Sequence, residues 1–474
     1  MDAPPASAPA RDRLSPLERG LRLFTDIRPG EGVTGVVLFA DVFLILCAYY
    51  LVKALRDGWI AVSEVSGFSQ VELKAYTSFG QSVLLWGVVS VYSRLSSRWP
   101  RRTLITRVTL LCMSNLVLFW LLQPGFLFEN LPAAGVVFYL WVGMFGVFVV
   151  AQFWTFAADL YAGERGARLL PLIAVGATGG ATFGSFMTQY LLHTGMVASG
   201  TLLLVAIVPL AGSIVLTRLA DRRGAVGAPI GERSRPAVEA AVTASAPSGA
   251  LAMIARHRYL IAVAVVAMLT NWVNTNGENL LFRVLQDSLR ADVTARGMAS
   301  APAVRTFVRD GTTAFYGSYF FWVNLVALLA QALLASRLLR YGGIGAVLLL
   351  LPAIALVSYS TMALVPLLGV VRMMKIAENA TNYSIDNTAR QVIWLPTTTE
   401  MKYSTKPAID SLFQRLGDGM AALTVLVGLQ VLDLPTRDLA LVNVALVACW
   451  LGAAVVIVLD FRRLMPAGAP APIA

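Results

Sequence analysis

Residues 365–390 read VPLLGVVRMMKIAENATNYSIDNTAR, and this stretch decides the fold. It is long enough to cross a bilayer as a helix, yet polar residues recur in it every three or four positions, which places most of them on one helical face. Because a charged group is costly in hydrocarbon, such groups persist there only where they face a cavity or one another. The stretch therefore predicts either the wall of a solute pathway or a structural network of buried ion pairs. Its polar residues are Arg372, Lys375, Glu378, Asn379, Asn382 and Asp386.

The composition of the whole chain agrees with a membrane protein. Of its 474 residues, 57% are hydrophobic and only 14% are charged, whereas a soluble domain carries about a quarter charged residues. The three cysteines lie in apolar stretches and the two histidines are far apart, so we expect no disulfide framework, no metal site and no cofactor. The net charge of +11 would suggest nucleic acid as the partner of a soluble protein. In a membrane protein, an excess of Lys and Arg in the cytoplasmic loops accounts for such a net charge, so we expect no nucleic acid partner.

Eleven further apolar stretches of about 20 residues can cross a bilayer. We therefore predict an all-α integral membrane protein with twelve transmembrane helices in two six-helix halves. The predicted spans are 33–55, 75–95, 103–122, 132–157, 168–192, 197–217, 258–280, 313–335, 343–362, 365–390, 407–432 and 439–460. The predicted segments are 1–32 (a tail with an interfacial helix), 33–217 (first half), 218–257 (linker), 258–460 (second half) and 461–474 (tail).

The distribution of Lys and Arg predicts the orientation of the chain. These residues are concentrated in the two tails, in the linker and in the loops that follow even-numbered spans, so both termini are predicted to be cytoplasmic. Residues 282–309 depart from this pattern, because they carry five arginines on the predicted outer side. We predict a loop there, since long loops are translocated largely regardless of charge.

Polar residues also interrupt other predicted spans. The first span ends in Lys53, Arg56 and Asp57, where a cation could bind an anionic group while Asp57 neutralises the empty site. The alternative is a helix end whose long side chains reach the interface. Asp159, near the cytoplasmic end of the fourth span, is either part of a gate or a solvated charge. Glu278 follows several asparagines in the seventh span, and it is either a coupling group on a locally broken helix or part of a helix end.

The tenth and eleventh spans carry the other candidate groups. Lys375 and Arg372 could hold an anionic group, and Asn379 and Asn382 could add neutral hydrogen bonds. Glu378 and Asp386 are candidate counter-charges or proton sites. In the eleventh span Arg415 could face the tenth span across a cavity, with Asp418 as a further coupling or gating group.

The fifth span contains Gly176, Gly179, Gly180 and Gly184, with Ala177 and Ala181. Small residues at this spacing allow two helices to approach closely, so we interpret them as a packing surface.

Four stretches resemble the ATP:ADP antiporter family, the nucleotide transporters of plastids and intracellular bacteria, and more closely its relatives in free-living bacteria. They are Tyr50–Asp57 (YLVKALRD), Phe153–Asp159 (FWTFAAD) continuing to Pro171, Asn382–Asp386 (NYSID) and Ala408–Gly417 (AIDSLFQRLG). The resemblance runs across nearly the whole chain. It implies a twelve-helix facilitator in a bacterial inner membrane, with Lys53 or Arg56 beside Asp57 at the nucleotide phosphates. The chain departs from the family where Arg415-Leu-Gly-Asp418 replaces a Pro-Leu-Gly-Lys sequence.

The first functional hypothesis is a secondary active transporter of an anionic solute, with ATP:ADP exchange as the function that the resemblance implies. The alternatives are a proton-coupled transporter of another polar solute, such as a siderophore, drug or metabolite, and a non-transporting membrane receptor. An enzyme is not expected, because the sequence has no Gly-x-Ser-x-Gly motif, no His/Asp cluster and no set of metal ligands. We expect a monomer whose partners are a small-molecule substrate and membrane lipid.

Overall fold

The computed structural model describes residues 15–22, 27–98, 101–127, 131, 133–161, 163–224 and 247–464. In these residues the chain folds into twelve long helices, α1 to α12, which confirms the predicted all-α fold. The first half contains α1 (Gly32–Ala61), α2 (Gln70–Arg98), α3 (Arg101–Leu121), α4 (Ala134–Leu160), α5 (Gly163–His193) and α6, which begins with the short turns Ser199–Thr201 and Leu202–Val205 and continues as Ile207–Gly224.

A short helix, Pro247–Arg256, precedes the second half. Residues 225–246 of the predicted linker and residues 465–474 of the tail lie outside the described residues. The second half contains α7 (Arg258–Ala295), α8 (Ala301–Ala330, with the π-helical turn Gln331–Ala335), α9 (Ser336–Leu364), α10 (Leu368–Thr381, the π-helical turn Asn382–Asp386 and Asn387–Val392), α11 (Thr399–Ala408, Ile409–Phe413, Gln414–Val425 and Leu426–Val431) and α12 (Thr436–Leu464).

Most of these helices are apolar enough to cross a membrane. In the described part of the chain, ten helical stretches reach the required length and hydropathy. The two long helices outside that set are α2 and α10. Both carry buried charged residues, such as Lys74 in the second turn of α2 and Lys375 in α10, and these side chains contact polar partners. Lys74 and Lys375 therefore face the interior of the bundle.

The region predicted as a loop, 282–309, is mostly helical. Helix α7 continues to Ala295 and α8 already begins at Ala301, so only a short turn joins them. Leu285, Leu289 and Val308 within it are buried in an apolar cluster. The loop prediction was wrong because the five arginines hid an apolar face whose residues recur at helical spacing.

Two ion pairs lie at the end of the bundle where α1 begins and α12 ends. Arg168, near the start of α5, pairs with Glu31 at the start of α1 at 3.3 Å. Arg258, at the start of α7, pairs with Asp460 near the end of α12 at 3.5 Å. We therefore call the face that holds the start of α1 and the end of α12 the terminal face, and the other end of the bundle the opposite face.

A short N-terminal helix, Pro16–Leu21, lies at the terminal face. Ser15 and Glu18 form a capping box, and the Glu18 carboxylate also accepts the backbone N–H groups of Gly30 at 2.7 Å and Gly32 at 3.3 Å. The backbone hydrogen bond from Ser15, supported by those from Gly30 and Gly32, lowers the pKa of Glu18 below its ordinary value. The carboxylate thus attaches this helix to the start of α1.

Helices α1 and α5 pack with their main chains in contact. A Cβ atom at Gly180 would lie 2.2 Å from the carbonyl oxygen of Phe43, and one at Gly184 would lie 2.4 Å from that of Cys47. At Gly176 the corresponding distance, to the carbonyl oxygen of Phe39, is 2.7 Å. The close approach repeats once per helical turn, as the packing interpretation of these glycines requires.

The neighbouring glycine provides a matched test. At Gly179 a Cβ atom would lie 3.6 Å from the Phe43 ring, an ordinary contact. We expect Gly180→Ala to destabilise the protein by about 1–3 kcal/mol, because the added methyl group must push α1 and α5 apart. Gly179→Ala should leave the thermal midpoint of the detergent-solubilised protein within a degree or two of the wild type. Equal midpoints for the two variants would contradict the proposed close packing.

Candidate functional site

A cavity of about 270 Å³ lies between the two halves. Helices α1, α2 and α4 line it on one side, and α7, α8, α10 and α11 line it on the other. Its wall carries four cations and three carboxylates: Lys53, Arg56, Lys74 and Arg415, and Asp57, Glu278 and Asp418. Three of the four cations come from the first half and two of the three carboxylates from the second, so the wall is positive on one side and more negative on the other.

Asp57 organises the wall of the first half. Its carboxylate is 1% exposed and pairs with Lys74 at 3.1 Å and with Arg56 at 3.3 Å. Lys74 also donates a hydrogen bond to the hydroxyl of Tyr316 in α8 at 2.9 Å. Because a buried carboxylate requires compensation, the two cations hold Asp57 in its charged form. Each cation therefore has a carboxylate partner, but the two share one carboxylate, and the group carries one positive charge when all three residues are ionised.

Lys53 lies one helical turn before this group and differs from it. Its ammonium nitrogen lies 4.2 Å from the ring centre of Phe320, 4.8 Å from that of Tyr50 and 5.8 Å from that of Tyr49. No carboxylate of the described residues forms an ion pair with it. Aromatic faces attract a cation but do not neutralise its charge. Lys53 therefore presents to the cavity a positive charge that has no carboxylate in ion-pair contact.

Glu278 is the carboxylate of the second half that connects the cavity to a buried network. It lines the cavity, and its carboxylate accepts hydrogen bonds from Asn379 at 2.6 Å and from Tyr319 at 3.1 Å. Lys375 lies 3.9 Å from it and is completely buried. Glu278 thus separates the cavity from Lys375.

The network continues behind Glu278. Lys375 pairs with Glu378 at 3.2 Å and donates a hydrogen bond to Asn274 at 3.2 Å. Glu378 also accepts a hydrogen bond from Tyr359 at 3.0 Å. One lysine therefore serves two carboxylates, Glu278 and Glu378, and the network carries one negative charge when all three groups are ionised.

The cavity wall nearer the terminal face links the two halves through polar groups. Asp418 in α11 accepts hydrogen bonds from Ser82 in α2 at 2.8 Å and from Thr275 in α7 at 3.1 Å. Arg415 donates to Ser82 at 3.0 Å and pairs with Asp418 at 3.3 Å. Like Arg56 and Lys74, Arg415 already has a carboxylate partner.

The other predicted site residues lie away from the cavity. Arg372 donates a hydrogen bond to Ser318 at 2.6 Å and does not line the cavity. Asn382 and Asp386 both bind Arg390, at 3.0 and 2.7 Å. Asp159 is exposed at the end of α4. The structure thus gathers Lys53, Arg56, Asp57, Glu278, Arg415 and Asp418 at the cavity wall, with Lys375, Glu378 and Asn379 behind it.

Helix α2 contributes cavity residues that the sequence analysis did not select. Lys74, Ser78 and Ser82 line the cavity and are spaced four residues apart. That spacing places them on one helical face. Polar residues at the same helical spacing drew attention to α10, so the sequence of α2 contained the information needed to select these residues as well.

The described contacts between the halves close the opposite face. A Cβ atom at Gly58 in α1 would lie 2.7 Å from the carbonyl oxygen of Arg309 in α8, so these helices touch there. A buried apolar cluster also spans both halves near this end. Among the described residues, the hydrogen bonds and ion pairs between the halves at this face include Arg290–Gln70 (2.5 Å), Arg305–Glu64 (2.9 Å), Arg309–Pro124 (3.0 Å) and Ser199–Asp310 (2.6 Å).

No protein-family model and no curated protein sequence matches the chain. Solved structures do match over nearly its whole length. The nucleoside transporter NupG has a TM-score of 0.58 at 12% identity and covers 90% of this chain and 99% of its own. A POT family transporter in complex with 5-aminolevulinic acid has a TM-score of 0.57 at 13% identity, covering 91% and 96%. A bacterial homolog of the human lysosomal transporter Spinster, inward-facing and unoccupied, has a TM-score of 0.53 at 11% identity, covering 94% and 100%.

These likenesses concern the fold. The chain is an all-α, multi-pass membrane protein with the major facilitator architecture, as predicted, and the solved proteins that it resembles are transporters.

Proposed function

We propose that this protein is a secondary transporter that carries an organic anion through the central cavity by alternating access of its two halves. The observation that carries the proposal is Lys53, which faces the cavity without a carboxylate partner, while Arg56, Lys74 and Arg415 all have one. A cation that has no carboxylate partner favours a ligand of opposite sign.

The carboxylates of the cavity wall indicate which class of anion would bind. Beyond Lys53, the ligand would meet Glu278 and Asp418 on the side of the second half. Carboxylates accept hydrogen bonds, so they favour a ligand whose far end carries an amine, amide or hydroxyl group. We therefore propose an organic anion with a hydrogen-bond donor at some distance from its anionic group.

The size of the cavity bears on the nucleotide hypothesis. Its volume of about 270 Å³ is near the lower end of the range for small-molecule sites. A triphosphate would also bring several negative charges close to Glu278 and Asp418. The resemblance to ATP:ADP antiporters makes nucleotides the first compounds to test, whereas the volume and charges of the cavity favour a smaller anion in this conformation.

The arrangement of the halves supports alternating access. The contacts that close the opposite face include surface ion pairs such as Arg305–Glu64, which contribute little individually and can be broken at low cost. If both termini are cytoplasmic, as we propose, the structure corresponds to a state closed to the outside. Transport would require the halves to separate at the opposite face and to close at the terminal face.

A second candidate, proton-coupled transport, is favoured by the network of Glu278, Glu378 and Lys375. Two carboxylates share one lysine, and Glu278 also borders the cavity. A proton on Glu278 would leave a neutral network, so protonation and substrate binding could be linked.

The first experiment measures binding and transport in parallel. The purified protein is heated with ATP, ADP and small organic anions that carry an amine, because a ligand that binds the folded state raises the thermal midpoint. Stabilising compounds are then tested for uptake into proteoliposomes. Uptake that requires substrate preloaded inside would support exchange, and uptake driven by a pH gradient into empty vesicles would support the proton-coupled alternative. Stabilisation without any uptake would contradict both and favour a receptor.

A further inference from the structure

A second polar site lies inside the first half, away from the central cavity. Five buried polar residues from α1, α3, α4 and α6 form one layer within an apolar core. At a rise of about 1.5 Å per residue, each lies about 10–16 Å from the terminal-face end of its helix. None of them lines the central cavity. The five residues are Asp41, Thr109, Gln152, Ser213 and Thr217.

Asp41 supplies the charge of this layer. Its carboxylate is completely buried and accepts hydrogen bonds from Ser213 at 2.5 Å and from Thr217 at 2.7 Å. Within the described residues no lysine or arginine pairs with it. Two hydroxyl groups satisfy its hydrogen-bonding capacity in part but do not neutralise it. A carboxylate in such surroundings requires a proton or a cation.

An adjacent cavity offers room for that cation. It has a volume of about 10 Å³, close to that of one water-sized sphere. Five apolar side chains and four polar ones line it, and the polar ones are Thr109, Gln152, Ser213 and Thr217. Asp41 is not part of this lining but is hydrogen-bonded to Ser213 and Thr217. Gln152 is 3% exposed, and neither its amide oxygen nor its amide nitrogen has a hydrogen-bond partner. An unsatisfied buried amide is costly, so the arrangement is incomplete without a ligand. The amide oxygen of Gln152 is the kind of atom that a hard cation binds.

We infer that this cavity binds a sodium ion. The hydroxyl oxygens of Ser213 and Thr217 and the amide oxygen of Gln152 would face the ion, and Asp41 would neutralise it. A monovalent ion matches the single carboxylate, whereas a divalent ion would leave a net positive charge in an apolar core. A sodium ion fits a cavity of this size, and the response to potassium measures the selectivity of the site.

The site is positioned to influence the central cavity, because α1 carries both Asp41 and Lys53. The two residues are about 18 Å apart along the helix at its normal rise. An ion that fixes α1 against α3, α4 and α6 would bias the orientation of the helix that presents Lys53. Sodium should therefore increase substrate affinity, and by linkage the substrate should increase the affinity for sodium. This coupling rests on the proposed transport function, but sodium binding itself does not.

The test needs no transport substrate. Thermal midpoints are measured for the purified protein in NaCl, KCl and choline chloride at constant ionic strength. We expect a saturable rise with NaCl, a smaller one with KCl and none with choline. Asp41→Asn should abolish the sodium response while preserving the shape of the site. Gln152→Ala should raise the sodium concentration for half-maximal stabilisation about tenfold, as expected for the loss of one neutral ligand.

The matched control is Asp287→Asn, which makes the same change at an exposed position of α7 and should retain the full sodium response. If Asp41→Asn fails to fold, Gln152→Ala and Ser213→Ala provide the same comparison. A midpoint that depends on pH but not on sodium would overturn the proposal in favour of a proton on Asp41. A midpoint that depends on neither would overturn it in favour of a bound water, and an unchanged sodium response in Asp41→Asn would overturn it as well.

Discussion

Replacing Lys53 with methionine is expected to weaken binding of the anionic substrate about 100-fold, a loss of about 3 kcal/mol. Methionine preserves the length and packing of the side chain among Tyr49, Tyr50 and Phe320 but removes the charge. The other cavity cations differ from Lys53, because each is in ion-pair contact with Asp57 or Asp418. The measurement is the concentration of the best stabilising anion, ADP or a smaller compound, that gives half-maximal thermal stabilisation.

Two controls separate charge from packing. Lys53→Arg retains the charge and should retain most of the binding, although the larger guanidinium group lowers the uptake rate. Lys402→Met removes an exposed lysine at the start of α11 and should leave binding unchanged. Equal binding by Lys53→Met and the wild type would show that the anion is held elsewhere, and the proposal of Lys53 as the anion-binding group would be withdrawn.

The second large effect is expected for Lys375→Met, this time on folding. Lys375 is completely buried between Glu378 at 3.2 Å and Glu278 at 3.9 Å. Its removal leaves two carboxylates in the interior without a cation, which costs about 3–5 kcal/mol. We expect a marked fall in the thermal midpoint and in the yield of monodisperse protein.

The double variant Lys375→Met/Glu378→Gln distinguishes a buried pair from a substrate contact. Since Glu378→Gln removes one of the orphaned charges, the double variant should be more stable than Lys375→Met alone, with a coupling energy of about 1–3 kcal/mol. A Lys375→Met protein that is as stable as the wild type but unable to bind substrate would falsify the structural role. Such a result would make Lys375 a substrate ligand.

The fold and part of the site could be predicted from helical spacing. Lys375, Glu378 and Asn379 share a face because residues three and four apart are neighbours on a helix, and the structure brings them together. The α-helical repeat of three to four residues no longer predicts which residues share a face after Thr381. The π-helical turn Asn382–Asp386 adds a residue to the turn, and Asn382 and Asp386 then bind Arg390 instead of the cavity.

Other parts of the site depend on contacts that no local pattern contains. The pairing of Lys74 with Asp57 joins two helices, and only the packing of α1 against α2 makes it form. It also decides which cation is left without a carboxylate in ion-pair contact. The sequence presented Lys53 and Arg56 as equivalent candidates, and the structure distinguishes them because Arg56 is held by Asp57 and Lys53 is not.

The glycines between α1 and α5 have a mechanical consequence. Main chains in direct contact at Gly180 and Gly184 leave no layer of flexible side chains that could absorb a displacement. A displacement of α1 should therefore be accompanied by a displacement of α5, so that the two helices move as one rigid body. Since α1 carries both Lys53 and Asp41, substrate and ion would act on the same rigid pair of helices, and the absence of a few methyl groups makes that pair rigid.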